Sequence, residues 1–371
     1  GRLLAEIYVE TGPERLGRAI EAAHAQIRLD PYRLEGWRLL ERLYDERGQP
    51  ERADRVAAAL ALLGRAVRTS DRVDEAVHAT GCAPPLRRRV DQELFERCIR
   101  HPDQDPCASA GFAAIAQVGA TMTARPPEAY GLAGLAPLDL ASDDRPLSRA
   151  LRDVAPLLGV PLPPLYLDEA ARGLRLANPR NGAGAKLALV AGIDVACAEG
   201  ETESLFEAAR GLALVRPESL LAWAVPLVPA LRGLFWGAAR LVRDDLAAPA
   251  GVPEVERIAA HLRSRLPPDA IAAIAKAVGE LDPRAEPDLG RWLGAVELTA
   301  ARAALAITGD LVVAARIVAS DPPGRHSLSA KERLRELLLY AVSEAYFEAD
   351  EHLHGDPGGV SVAGADDAAS S

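Results

Sequence analysis

Cys98, His101 and Cys107 have the side chains and the approximate spacing of a zinc site, and Cys82 lies upstream of them. Thiolates and an imidazole are ligands that hold Zn²⁺ in a tetrahedral set. The spacing Cys98-x2-His101-x5-Cys107 matches no common zinc finger. We therefore favour the other interpretation, in which these are buried apolar thiols beside a proline-rich turn.

The histidines lack the spacing of a metal-binding helix. The seven are His24, His78, His101, His261, His326, His352 and His354. No two of them form an HxxxH pattern, which places two imidazoles one helical turn apart. His261 and His326 could supply an atypical metal site only if the fold brings them together. The close pair His352-x-His354 lies near the C-terminus, where a surface tail is the better explanation.

Other catalytic signatures are missing too. The sequence contains no GxSxG, no GxxxxGK[ST] and no CxxC. The glycine-rich run from Gly182 to Lys186 is predicted to be a hairpin turn. The carboxylate pairs Asp143-Asp144 and Asp244-Asp245 are predicted to cap helix ends. We therefore predict no metal and no cofactor.

Composition limits the partners. Lys and Arg total 43 against 53 Asp and Glu, giving a net charge of -10, which would repel a phosphate backbone and disfavours nucleic acid. Four cysteines without CxxC spacing favour a reducing, cytoplasmic location. Aromatic residues make up only 4% of the chain, so the core must be filled by Ala, Leu, Val and Ile. Such side chains favour closely packed helices, and we predict a mainly α fold.

Two segments near the N-terminus share a sequence pattern with a period of 34 residues, the separation of Ala19 and Ala53. In the second unit Trp37, Leu40 and Tyr44 recur at three and four residues and so share one helical face. Gly48 follows as a turn, and the small Ala53 lets the next helix approach closely. This pattern, over residues 1–64, resembles the tetratricopeptide repeat. Either more repeats precede Gly1 or the following helices cap the pair.

Charged residues mark a second face of the same helix. Glu35, Arg38, Arg42 and Asp45 recur at three, four and three residues. The resemblance implies that this face lines a concave groove that binds a polar peptide or a charged protein surface. A face that is merely solvated is the alternative.

Three further helices are predicted in a connector over residues 65–140, separated by proline and glycine clusters. They are Ser70 to Ala79, Leu86 to Arg100 and Ser109 to Thr121. A new unit over residues 141–354 begins with a helix capped at Asp143 to Pro146 and ending near Gly159. Residues 355–371 are predicted to be a disordered tail.

The second unit combines a small set of strands with helices. Short apolar runs at 165–167, 173–177 and 186–193 predict the strands. The next helix is predicted to begin at a capping box, Ser204-x-x-Glu207, and to end at Arg216-Pro217. The apolar segment 220–239 contains Arg232 and two prolines, so we predict a buried, kinked core helix and not a membrane span. Exposure of that segment would instead suggest a membrane-associated assembly factor.

This order of elements resembles the M48-type (Ste24/HtpX-like) zinc metallopeptidases, in a form fused to tetratricopeptide repeats. The resemblance covers residues 145–320 and is strongest at 157–217. It implies an α+β body with a zincin-like core, in which the helix after the strands carries His-Glu-x-x-His. Two imidazoles bind zinc there, and the Glu deprotonates the metal-bound water.

The metal-binding positions are changed in this chain. The resemblance places Arg210 and Leu214 where the two histidines stand and Gly211 where the catalytic Glu stands. Leu has no lone pair, Arg is always protonated and Gly offers no base, so the site is vestigial. Asp310 could be a remnant of the third ligand, although a helix N-cap explains it better. If the metal has been replaced by an ion pair, Arg210 and Asp310 should lie within about 6 Å of each other.

These observations predict a non-catalytic interaction or scaffold protein, a pseudoenzyme with a tetratricopeptide-like groove for a protein or peptide. The alternative is an active metallohydrolase or peptidase with atypical ligands.

Overall fold

The computed structural model describes residues 13–68, 88–182, 184–225, 227–246, 251–252, 254–279, 281, 286–321 and 328–355. The fold is mainly α, as predicted, and the described residues also form one three-stranded sheet and one two-stranded hairpin. The predicted helix from Ser70 to Ala79 lies outside the described residues, and so does the predicted tail apart from Gly355.

Three helices form the N-terminal part of the structure: α1 (Pro13–Leu29), α2 (Leu34–Glu46) and α3 (Pro50–Arg68). α2 packs against both of its neighbours. Trp37, Leu40 and Tyr44 are fully buried on one face of α2, which confirms the predicted apolar face. Gly48 turns the chain with a φ of +72°, and Ala53 is buried where α3 begins its second turn.

The next helices begin at proline or at a carboxylate cap. A short helix at Gln92–Leu94 continues as a π-helical turn at Phe95–Ile99. α4 (Pro106–Thr123) begins three residues earlier than predicted, because the Asp105 carboxylate accepts a hydrogen bond from the backbone N–H of Ala108. α5 (Pro146–Leu157) begins and ends close to the predicted residues, but the predicted carboxylate cap is wrong, because the N-cap residue is Arg145 and makes no side-chain cap.

The sheet has three strands in the order β1–β5–β2. They are β1 (Leu165–Leu167), β2 (Leu174–Ala177) and β5 (Ala188–Ala191), with β1 parallel and β2 antiparallel to the buried central strand β5. β2 is therefore an edge strand. The predicted hairpin forms between β3 (Arg180–Asn181) and β4 (Gly184–Ala185).

Four helices follow the sheet: α6 (Ile193–Ala196), α7 (Glu201–Ala213), α8 (Pro217–Ala224) and α9 (Val228–Ala239). The strand predicted for 186–193 is shorter because Gly192 already begins α6. The predicted capping box at Ser204 is wrong: α7 begins at Glu201 after Gly200, and Ser204 lies inside the helix. The predicted single helix over 220–239 is two buried helices, α8 and α9, with the exposed Leu227 between them.

The C-terminal half contains α10 (Val255–Arg265), α11 (Pro268–Val278), α12 (Leu289–Thr308), α13 (Leu311–Ser320), α14 (Ala330–Ala341) and α15 (Glu344–His354). α12 is buried along most of its length and packs against α7. The core is continuous from α1 to α15, and the ring centroids of Tyr44 and Phe347 lie 5.9 Å apart. Within the described part of the chain, no helix has the length and apolar character needed to span a bilayer.

Candidate functional site

α7 carries Arg210 and Gly211, Leu214 follows it as the C-cap residue, and the helix lies against both β2 and α12. Gly211 lies directly beneath β2: a Cβ atom at this position would lie only 2.8 Å from Cδ2 of Leu174. A larger residue at this position would therefore need the Leu174 side chain to shift. Gly211 is a packing residue.

Arg210 is the centre of a largely buried ion-pair network. Its Nη2 donates a hydrogen bond to Oε2 of Glu207 at 2.7 Å, and its guanidinium also donates to both carboxylate oxygens of Asp321. The predicted pair between Arg210 and Asp310 is therefore wrong. The Asp310 carboxylate caps α13 by accepting the backbone N–H groups of Val312 and Val313, so the predicted N-cap is confirmed.

A second ion pair adjoins the first. Nη1 of Arg333 lies 3.2 Å from Oε1 of Glu297, and Nη2 of Arg333 donates to the backbone carbonyl of Asp321 at 3.1 Å. Glu297, Asp321 and Arg333 were not predicted from the sequence as residues of this site. Glu297 carried a usable signal, since it is an acidic residue in the middle of an apolar helix, where charge is costly unless it is paired.

The network balances three carboxylates against two guanidinium groups. Burial raises the pKa of Glu207, although the Arg210 guanidinium favours the charged form, and burial likewise raises the pKa of Glu297. Burial alone would disfavour the charge on Arg210, but Glu207 and Asp321 raise the pKa of its guanidinium above the ordinary value. Arg210 therefore stays charged, and Glu207 and Glu297 are easier to protonate than exposed glutamates.

A slot of about 230 Å³ opens above this network. We call it the α7 slot. Its apolar walls are Leu174, Leu176, Leu214, Trp223 and Ala300, and its charged lining is Arg172, Arg175, Arg210, Glu297, Asp321 and Arg333. Such a space suits one apolar side chain with a polar end. Because Arg210 stays protonated, its charge would repel a divalent cation in this slot.

Two of the residues considered for zinc, Cys98 and His101, have other partners. The Cys98 thiol donates to Oε2 of Glu348 at 3.4 Å. Nδ1 of His101 accepts the backbone N–H of Asp103 at 3.1 Å, which places the proton on Nε2, and Nε2 lies 3.3 Å from the Glu336 carboxylate. Neither imidazole nitrogen has a lone pair free for a metal.

No group of three or more potential metal ligands occurs among the residues that the structure describes. Cys82 and His326 lie outside them. His352 and His354 do not form a tail, contrary to the prediction: they end α15, and Nε2 of His354 lies 2.9 Å from the carbonyl oxygen of Ala306.

The charged face of α2 is solvent-exposed. All four of its residues, Glu35, Arg38, Arg42 and Asp45, are exposed. Glu35 pairs with Arg33 and Arg42 with Glu46, both on the same stretch of chain. None of the four lines the α7 slot.

No family model matches this chain, and comparison with curated proteins and with solved structures finds no match either.

Proposed function

We propose that this chain is a non-catalytic protein-interaction module that binds a peptide segment of its partner in the α7 slot. The observation that carries the proposal is the ion-pair network at Arg210. In the M48-type arrangement that the sequence resembles, this part of the helix would present imidazoles to zinc. Here it presents a guanidinium, and the carboxylates of Glu207 and Asp321 beside it are both bound to that guanidinium.

The edge strand β2 supplies the second support. An extended peptide can add to an exposed strand edge through main-chain hydrogen bonds, with alternate side chains entering pockets beside the strand. Leu174 and Leu176 of β2 line the α7 slot. A peptide lying along β2 could therefore place an apolar side chain into the slot, with Arg172 and Arg175 at its rim. The exposed face of α2 would add polar contacts to a larger partner.

Zinc content and proteolysis test the non-catalytic part of the proposal. Elemental analysis of the purified full chain should find no stoichiometric zinc, and casein and fluorogenic peptides should remain uncleaved. One zinc per chain together with hydrolysis would overturn the proposal and favour the alternative, a metallohydrolase with atypical ligands.

Peptide selection tests the binding part. A phage-displayed peptide library selected on the full chain should yield ligands whose affinity falls by about tenfold or more in Arg172→Glu, which reverses a charge at the slot. The matched control Arg240→Glu reverses a charge outside the slot and should leave affinity unchanged. Equal affinities for the wild type and both variants would contradict binding in the slot.

The contribution of the α2 face to binding can be tested once a protein partner has been identified. The double variant Arg38→Glu/Arg42→Glu should weaken binding of that partner but not of the selected peptides. Arg18→Glu, on the exposed surface of α1, serves as the control. If the double variant binds the partner as tightly as the control, the α2 face is merely solvated.

A further inference from the structure

A second cavity, of about 640 Å³, lies between α1 and α14 and is separate from the α7 slot. We call it the α1–α14 cavity. Its apolar lining includes Ile27, Leu339 and Val342, and its charged lining comes from α1, α12, α14 and the turn at 101–103. A volume of this size accommodates a small organic molecule. The charges that line it decide which kind of molecule fits.

Three of the acidic residues that line this cavity already have cationic or imidazole partners. Asp103 pairs with Arg291 at 2.6 Å, and Glu344 pairs with Arg52 at 2.6 Å. Glu336 lies 3.3 Å from Nε2 of His101. The fourth acid, Glu21, is exposed at the rim. Asp103 and Glu344 are therefore compensated by arginines, and Glu336 shares a hydrogen bond with the His101 imidazole.

Two arginines of the lining, the largely buried Arg302 and the more exposed Arg335, are not compensated to the same degree. No carboxylate within the described ranges lies within ion-pairing distance of Arg302, whose best hydrogen bond runs 3.5 Å to the carbonyl oxygen of Arg100. Its guanidinium carbon lies 4.8 Å from the ring centroid of Tyr340. Arg335 reaches Glu336 only at 4.0 Å. Burial of Arg302 without a close counter-ion costs free energy that a bound anion would offset, and it lowers the pKa of this guanidinium.

Two further features of the cavity favour an anion. Its wall includes Glu344 and Ala345, the first residues of the 11-residue helix α15. The backbone N–H groups of Glu344 and Ala345 lack intrahelical acceptors and lie at the positive end of the helix dipole, whereas the N–H of Tyr346 is already bound by the Ser343 hydroxyl. The hydroxyl of Tyr340 is also buried without a hydrogen-bond partner, as are the Nε atoms of Arg302 and Arg335.

We infer that the α1–α14 cavity is a binding site for a small organic anion, a carboxylate or phosphate group on an apolar body. Arg302 and Arg335 bind the oxygens of the anionic group, the first turn of α15 adds backbone donors, and Ile27, Leu339 and Val342 contact the apolar body. The site is distinct from the α7 slot, so the inference does not depend on the function proposed above.

Isothermal titration calorimetry of the full chain tests this inference with four probes: benzoate, phenyl phosphate, inorganic phosphate and the neutral isostere benzamide. At least one of the two aromatic anions should bind at one per chain, about tenfold or more tighter than benzamide. Binding of benzoate alone identifies a carboxylate ligand, and binding of phenyl phosphate alone identifies a phosphate ligand. Inorganic phosphate should bind more weakly than phenyl phosphate, since it lacks the apolar body.

Variants locate the binding. Arg302→Met keeps the aliphatic stem over Tyr340 but removes the charge, and it should weaken the tightest probe by about tenfold or more. Arg335→Met should also weaken binding of the tightest probe. Because Arg335 is more exposed, this variant still tests the inference if Arg302→Met does not fold. Arg240→Met removes a charge outside the cavity and should bind like the wild type. If no anion binds, if benzamide binds equally well, or if both cavity variants bind like the control, the inference is wrong.

Discussion

Replacing Arg210 with methionine removes the cation at the centre of the α7 ion-pair network while keeping an unbranched side chain of similar length. The substitution leaves Glu207 and Asp321 without their guanidinium partner, and the side chain of Glu207 is only 9% exposed. Loss of one partner from a buried ion pair destabilises proteins by about 3 to 5 kcal/mol, because an uncompensated charge remains. We expect a loss of free energy of unfolding in that range near neutral pH.

The loss of stability in Arg210→Met should increase as the pH rises. Burial already raises the pKa of Glu207, so the folded chain holds its proton to a higher pH than the unfolded chain does. For such a group, stability declines as the pH rises through the folded pKa. Without Arg210 the pKa of Glu207 rises further, because the nearest cation has gone. The variant should therefore lose more stability relative to wild type at about pH 8 than at about pH 5.

Urea denaturation followed by circular dichroism at both pH values measures the effect. The matched control is Arg316→Met, which removes the partner of Glu203 from a more exposed ion pair and should cost no more than about 1 kcal/mol. The double variant Arg210→Met/Glu207→Gln should recover part of the loss, since it also removes the buried carboxylate charge. A loss in Arg210→Met no larger than in the control, or one that grows as the pH falls, would refute the reasoning.

Three further predictions concern stability. Asp310→Ala should lower the free energy of unfolding by about 1 kcal/mol, because α13 loses its side-chain cap, whereas Asp310→Ser should lose less; equal losses in urea denaturation would contradict the cap. The pKa of His24 is lowered by burial from 6.5 to about 4, so the unfolded chain binds more protons between these values and stability should fall as the pH falls through them. His24→Asn should remove that part of the pH dependence, and an unchanged slope would contradict it. Gly237→Ala should destabilise the protein in a thermal melt, because the new Cβ would lie 2.4 Å from Cγ2 of Ile258, whereas Gly64→Ala, at an open position of a helix, should stabilise it by about 0.5 to 1 kcal/mol. A loss of stability in Gly64→Ala, or none in Gly237→Ala, would contradict this packing.

Sequence reasoning succeeded where the signal was local. The burial of Trp37, Leu40 and Tyr44 follows from spacings of three and four residues, which fix a helical face whatever else the chain does. The Asp310 cap follows equally from its position before an apolar run. The capping box predicted at Ser204 is wrong because α7 already begins at Glu201, less than one turn earlier, and packs there against the rest of the fold.

The partners of buried charges required the tertiary structure. Asp321 lies 111 residues beyond Arg210, and no periodicity links positions that far apart. A carboxylate at either Asp310 or Asp321 would satisfy the guanidinium electrostatically, and only the packing of α7, α12 and α13 decides which one reaches it.

The sequence by itself therefore determined the mainly α class, the apolar face of α2 and the Asp310 cap, because these depend on propensities and on neighbours within one or two turns. The tertiary structure alone decided which charges meet at Arg210, that Gly211 lies against Leu174, and where the α7 slot and the α1–α14 cavity lie. Those features depend on distances between elements far apart in the chain, and a buried charge is stabilised only by the groups that packing brings within reach.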